Sequence, residues 1–83
     1  MPSTTVIREP DIDRVIAALR EGKSAQVGGG RSFSTYAIRD GQPIMITCDD
    51  GYTEDVPISD ERLREVVATD GALFLDYLRI WQR

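Results

Sequence analysis

Residues 33–56 read FSTYAIRDGQPIMITCDDGYTEDV, and the fold turns on how that stretch is punctuated. Asp40-Gly41 and Asp49-Asp50-Gly51 divide it into three runs rich in β-branched, aromatic and apolar residues, the pattern of consecutive antiparallel strands. Residues 33–39 form one strand, Asp40-Gly41 a two-residue turn of the primed type, and residues 42–48 the returning strand. That turn pairs Phe33 with Cys48, Thr35 with Ile46 and Ala37 with Ile44. One face then collects Phe33, Ala37, Ile44, Ile46 and Cys48, and is expected to meet the core. The opposite face collects Ser34, Tyr36, Ile38, Met45 and Thr47.

The second turn has two registers. A two-residue loop at Asp50-Gly51 sets Ile46 opposite Asp55 and Ile44 opposite Pro57. A three-residue loop, with Gly51 left-handed, sets Cys48 opposite Tyr52 and Ile44 opposite Val56. A one-residue slip sends every side chain to the other face, so the apolar match favours the three-residue loop. Glu54 is its one misfit, turned to the core side opposite Ile46.

Working outward, residues 1–5 form a short polar arm expected to fray. Glu9-Pro10-Asp11 reads as a helix start, Ile12, Val15, Ile16 and Leu19 as its apolar stripe, and Gly22 as its stop. Residues 24–27 suit a brief edge strand ending in Gly28-Gly29-Gly30. Ser59 is placed to cap a helix carrying Asp60 and Glu61 in its first turn and Leu63, Val66 and Val67 on its inner side. That helix weakens at Thr69-Asp70-Gly71. A last helix places Leu73, Phe74, Tyr77, Leu78 and Trp81 on one stripe, with Leu75 and Ile80 off it. Either this helix is buried on two sides or it offers an apolar strip to a partner. The expected architecture is one α+β domain spanning residues 1–83. It has a three- to four-stranded antiparallel meander, an N-terminal helix, and one or two C-terminal helices on one sheet face.

Composition narrows the chemistry. An 83-residue chain with 41% apolar residues holds one small core. Cys48 is the only cysteine and there is no histidine, so no internal disulfide, thiolate zinc site or imidazole base is available. With no signal-peptide pattern and no apolar run near 18 residues, a cytoplasmic protein away from membranes is expected. Charge is uneven. From residue 40 to residue 76 ten carboxylates face only Arg62 and Arg64, a formal −8, while the remainder carries +4. Such a lobe attracts cationic partners and disfavours direct contact with nucleic acid.

Motif by motif, little catalytic chemistry emerges. Gly22-Lys23-Ser24 ends like a phosphate loop, but Ala17 stands where the first glycine belongs, and the strand-loop-helix order is reversed. Gly28-Gly29-Gly30 before Arg31-Ser32 is either an anion nest or a bulged connection. Asp49, Asp50, Glu54 and Asp55 miss the calcium-loop spacing, because Gly51 stands third and Glu54 sixth. As a carboxylate pair they need a sugar-sized cleft; otherwise they are a solvated turn that discourages strand-edge pairing. Neighbouring acids disfavour a Cys48 thiolate, leaving it a small buried hydrophobe. Tyr36 and Met45 are either a contact surface on an open sheet face or lie under the N-terminal arm or a second copy. Trp81, on the buried stripe, reads as a core plug. No metal or cofactor is expected.

In element order, and in acids such as Asp49, Asp50, Glu54, Asp55, Asp60 and Glu61, the chain resembles the small acidic phage-encoded inhibitors called anti-CRISPR proteins. That resemblance implies carboxylates presented to a basic surface of a nuclease complex. The leading expectation is a non-enzymatic protein that binds a basic protein surface through these six acids with Tyr36 and Met45, occluding a nucleic-acid groove. The competing expectation is a structural or regulatory homodimer of bacterial or phage origin, joined through Leu75, Ile80 or the open sheet face.

Overall fold

A computed structural model describes residues 8–81 of the chain; the polar arm expected at residues 1–5 lies outside the described residues. The order is α1 (Glu9–Arg20), β1 (Ala25–Gly29), β2 (Ser32–Arg39), β3 (Gln42–Asp49), β4 (Tyr52–Pro57), α2 (Asp60–Thr69) and α3 (Gly71–Trp81). The strands form one antiparallel sheet in sequence order. The helices lie on one of its faces, giving the α+β layout that the pattern predicts.

Helix ends follow the expected chemistry. Pro10 sits in the first turn of α1, and the Arg8 carbonyl accepts from the Asp11 and Ile12 amides at 3.0 Å. The Ser59 hydroxyl accepts from the Arg62 amide at 3.0 Å, capping α2 above the favourable charges of Asp60 and Glu61. The helical path breaks at Asp70 (φ −101°, ψ 36°), so the expected weak point separates α2 from α3.

Both β2–β3 and β3–β4 close with two-residue turns. Asp40 and Asp50 take left-handed backbone, φ 54° and 50°, each followed by glycine. This is the primed geometry that matches strand twist, and a short Asp side chain tolerates it. The β2–β3 pairing is the expected one, with Phe33 opposite Cys48, Thr35 opposite Ile46 and Ala37 opposite Ile44. At the second turn the three-residue expectation is corrected. Asp49 pairs with Tyr52, Ile46 with Asp55 and Ile44 with Pro57, the register of the shorter loop. Glu54 stands opposite Thr47, not Ile46.

The choice of core face is corrected with it. Ile12, Val15, Leu19, Ala25, Tyr36, Leu63, Val66, Val67, Phe74 and Leu78 make the buried cluster, with Val27, Ile38 and Met45 packed against it. Tyr36 is only 7% exposed, tilts against Phe74 with ring centroids 6.5 Å apart, and donates from its hydroxyl to Met45 Sδ at 3.4 Å. The helices therefore cover the Tyr36–Met45 face, and the Phe33–Ile46–Cys48 face is turned away from them. The longer loop matches Ile44 to Val56 only if the Phe33–Cys48 face meets the core; with Tyr36 and Met45 inside, the shorter loop matches Met45 to Val56.

Around the core, α3 is fixed to the sheet by Tyr77. Its hydroxyl accepts from the Gln26 amide at 3.2 Å and donates to the Gln26 carbonyl at 3.4 Å, satisfying the free edge of β1. Trp81 stacks on Tyr77 at 5.4 Å and packs against the core, as its stripe predicts. Leu75 also packs against the core, whereas Ile80 is 59% exposed, so the two do not share one apolar strip. The Arg64 guanidinium donates to Asp13 at 2.7 Å, linking α2 to α1 and raising the Arg64 pKa further.

Candidate functional site

The six candidate acids do not form one cluster. Asp49 and Asp50 lie at the β3–β4 turn, with Glu54 two positions beyond Tyr52 on β4. Asp60 and Glu61 open α2 beyond the other end of β4. The six residues of β4, about 20 Å at roughly 3.3 Å each, lie between the turn acids Asp49 and Asp50 and the helix acids, with Glu54 partway along. Asp55 is already paired, since Arg39 Nη1 donates to its carboxylate at 3.0 Å. Tyr36 and Met45 lie beneath the helices, which removes them as contacts on an open face.

What the fold does bring together at the turn is Asp49, Asp50, Glu54 and Tyr52. Tyr52 was missed because the longer loop placed it against Cys48, inside the core. In the observed register it follows a primed turn and stands opposite Asp49. It is 83% exposed. By strand alternation Tyr52 and Glu54 share the helix-side face of β4, at the end of that edge strand away from α2. A D-D-G-Y-x-E run at a primed turn was the available signal, since residues one and three beyond such a turn must share a face.

Backbone and hydroxyl contacts hold the turn. The Ser32 hydroxyl donates to Asp49 Oδ1 at 2.8 Å, and the Asp50 amide donates to the Arg31 carbonyl at 2.8 Å. The second bond joins this turn to the β1–β2 turn, which carries the exposed Arg31. Thr47 donates to the Glu54 carbonyl at 3.4 Å. The glycine run that was open to an anion-nest reading is spent on structure. Gly28 and Gly29 belong to β1, and Gly29 pairs with Ser32 across the turn. Gly28 takes φ 92° and would bring a Cβ to 3.3 Å from the Ser32 carbonyl oxygen, so a side chain there is strained.

Other places offer less chemistry. A groove of about 200 Å³ between α1 and α3 is floored by Ala17, Ala18, Leu78 and Trp81 and rimmed by Arg14, Glu21 and Lys23. It holds one carboxylate and no hydroxyl or thiol, and is smaller than a usual small-molecule site. Among the described residues no three of His, Cys, Asp and Glu converge to hold a metal ion, and no polar or charged side chain is buried. Cys48 is half-buried on the sheet face away from the helices. Among the described residues no helix is long and apolar enough to cross a membrane.

Comparison with known proteins adds no assignment: no family model, no curated protein and no solved structure matches this chain.

Proposed function

We propose that this chain is a non-enzymatic interaction module that takes a basic segment of a protein partner at its β3–β4 end. The observation that carries the reading is Tyr52, the most exposed aromatic of the described fold, flanked by Asp49 opposite and Glu54 on the same face. An exposed tyrosine ring attracts a guanidinium or ammonium to its face, and adjacent carboxylates complete the site. Tyrosine and arginine are also the side chains on which contact energy concentrates. Asp50 adds charge at the turn, while Arg31 sets the orientation by repelling the incoming cation from the β1–β2 side. The surplus of negative charge on this lobe steers approach, and an acidic end seated on a phosphate-binding groove would exclude nucleic acid from it.

The test is a titration of the isotope-labelled chain with hexa-arginine, and with hexaglutamate as control, followed by amide resonances. Hexa-arginine should shift residues 49–54 first, with an affinity that weakens about tenfold or more between 20 and 200 mM salt. Tyr52→Ala with Asp49→Asn and Glu54→Gln should remove the response. Shifts centred on Asp60 and Glu61, or an undiminished response in that variant, would overturn the assignment of the site.

A further inference from the structure

The two edges of the sheet are finished differently. At β1 the Tyr77 hydroxyl meets both the amide and the carbonyl of Gln26, so a helix side chain occupies that edge. At β4 the edge is open: α1 packs on β2 and α3 on β1, and residues 52–55 are exposed. The backbone groups that β4 turns outward follow from its pairing. The Ile58 amide donates to the Pro43 carbonyl at 3.0 Å, so these two residues form a hydrogen-bonded pair next to Ile44 opposite Pro57. Antiparallel pairs alternate, so Val56, Glu54 and Tyr52 also bond inward to β3, while Pro57, Asp55 and Thr53 point outward. Thr53 and Asp55 each present an N–H and a C=O to the free edge, and Pro57 a C=O alone. Among the described residues no hydrogen bond from elsewhere reaches the outward backbone of Thr53 or Asp55. The Asp55 carboxylate is held by Arg39 on the sheet face that the helices leave bare. The Tyr52 and Glu54 side chains stand along the edge on the other face.

Resting on the function proposed for this end, we infer that the partner's basic segment binds as an added strand, antiparallel along the free edge of β4. Its backbone pairs with the outward N–H and C=O groups of Thr53 and Asp55. Charge selects the occupant. In a second copy of the chain, the register that joins Thr53 to the partner copy's Asp55 sets Glu54 against Glu54. The register centred on Asp55 sets that carboxylate against itself. Residues 1–7 carry no basic side chain. A basic strand has the opposite fit. On the face of Tyr52 and Glu54, its alternate side chains lie opposite Val56, opposite Glu54, and opposite the Tyr52 ring beside Asp49. The matching pattern is an apolar residue and then two basic residues, at every second position. The residues between them lie opposite Thr53 and Asp55, where β-branched side chains suit a strand. The acids that deter self-pairing of this edge are thus the ones that admit a basic strand.

The probe is a capped peptide, Val-Thr-Arg-Thr-Arg, which running antiparallel to β4 sets its valine beside Val56 and its arginines beside Glu54 and Tyr52. Amide resonances of the isotope-labelled full chain report where it binds, and amide solvent-exchange rates report strand pairing. At a peptide concentration that saturates the shifts, exchange at Thr53 and Asp55 should slow about fivefold or more. Tyr52 and Glu54, already bonded to β3, should keep their rates. N-methylating both threonines removes the peptide N–H groups that face β4 and should weaken binding about tenfold or more. N-methylating both arginines, whose N–H groups face away, should leave binding within about threefold. Shifts at residues 49–54 with exchange at Thr53 and Asp55 unchanged overturn strand addition and leave the basic-segment site standing. Equal binding of the two N-methylated peptides does the same. No shifts from this peptide or from hexa-arginine would remove the site itself, and the added strand with it. Slow exchange at Thr53 and Asp55 without peptide would mean that the chain fills its own edge, which also overturns the inference.

Discussion

Truncating one aromatic on each side of the sheet tests which face is the core. Tyr36 is 93% buried by difference from its 7% exposure, and its ring meets Phe74, itself fully buried. Tyr36→Ala removes a packed ring and leaves a cavity lined by side chains that cannot collapse, a loss of about 3–4 kcal/mol. Phe33 is half-buried on the bare face and leaves no enclosed cavity, so Phe33→Ala loses about 1–1.5 kcal/mol of transfer energy. For a chain of this size each kcal/mol lowers the melting temperature by about 6 °C, giving drops of about 18–24 °C and 6–9 °C. Trp81 is the only tryptophan and stacks on Tyr77 against the core, so its fluorescence reports unfolding in urea and on heating. Measurements at about 1 µM keep self-association from adding to either value. If Phe33→Ala costs as much as Tyr36→Ala, the helices cover the other face and the register argument collapses. Tyr36→Phe separates ring from hydroxyl. Among the described residues the hydroxyl's partner is a thioether at 3.4 Å, so this change should cost under about 1 kcal/mol.

Two further predictions follow from single groups. Burial raises the Tyr36 phenol above its ordinary value of 10.0, Asp70 raises it further, and Arg62 opposes them. The unfolded chain therefore ionises first as pH rises. The stability linked to this group is intact below pH 10 and is lost as pH climbs through the folded value. Urea midpoints should fall between pH 9 and 11, and fall less in Tyr36→Phe; equal slopes would rule the phenol out as the cause. Ser59→Ala deletes the acceptor for the Arg62 amide and should cost about 1 kcal/mol, about 6 °C in melting temperature, with Ser59→Asp close to wild type. An unchanged melting temperature for the alanine variant would show that solvent replaces the cap.

Much of this architecture is legible from local rules. The stripe of Ile12, Val15 and Leu19, the Ser59 cap, the break at Asp70 and the Asp40-Gly41 turn each rest on contacts within a few residues, and each stands where expected. The candidate site is legible only in part. Asp49, Asp50 and Glu54 share one end, but Asp60 and Glu61 are held apart by the length of β4, and Asp55 is engaged by Arg39 from β2. Tyr52 was hidden by register. In Asp49-Asp50-Gly51 both loop lengths place glycine at a left-handed position, so turn chemistry leaves the choice to the faces being matched.

The amino-acid sequence by itself determines the order of helix, strands and helix, the β2–β3 pairing and a chemistry without histidine or paired cysteines, and leaves open whether there are three strands or four and one C-terminal helix or two. Alternation also sorts each strand's side chains into two sets, but it cannot say which set meets the helices. Residues 43–48, PIMITC, are apolar on both sides, so hydrophobic contrast across β3 is too small to decide. That decision belongs to tertiary structure. It depends on which side of the sheet α1 reaches before β1, and which side α2 reaches after β4, and on whether all three helices can close over Tyr36 and Phe74 together. These are contacts between residues far apart in the chain. They bury a ring on one face and leave Phe33, Ile46 and Cys48 on the other without a helix to cover them.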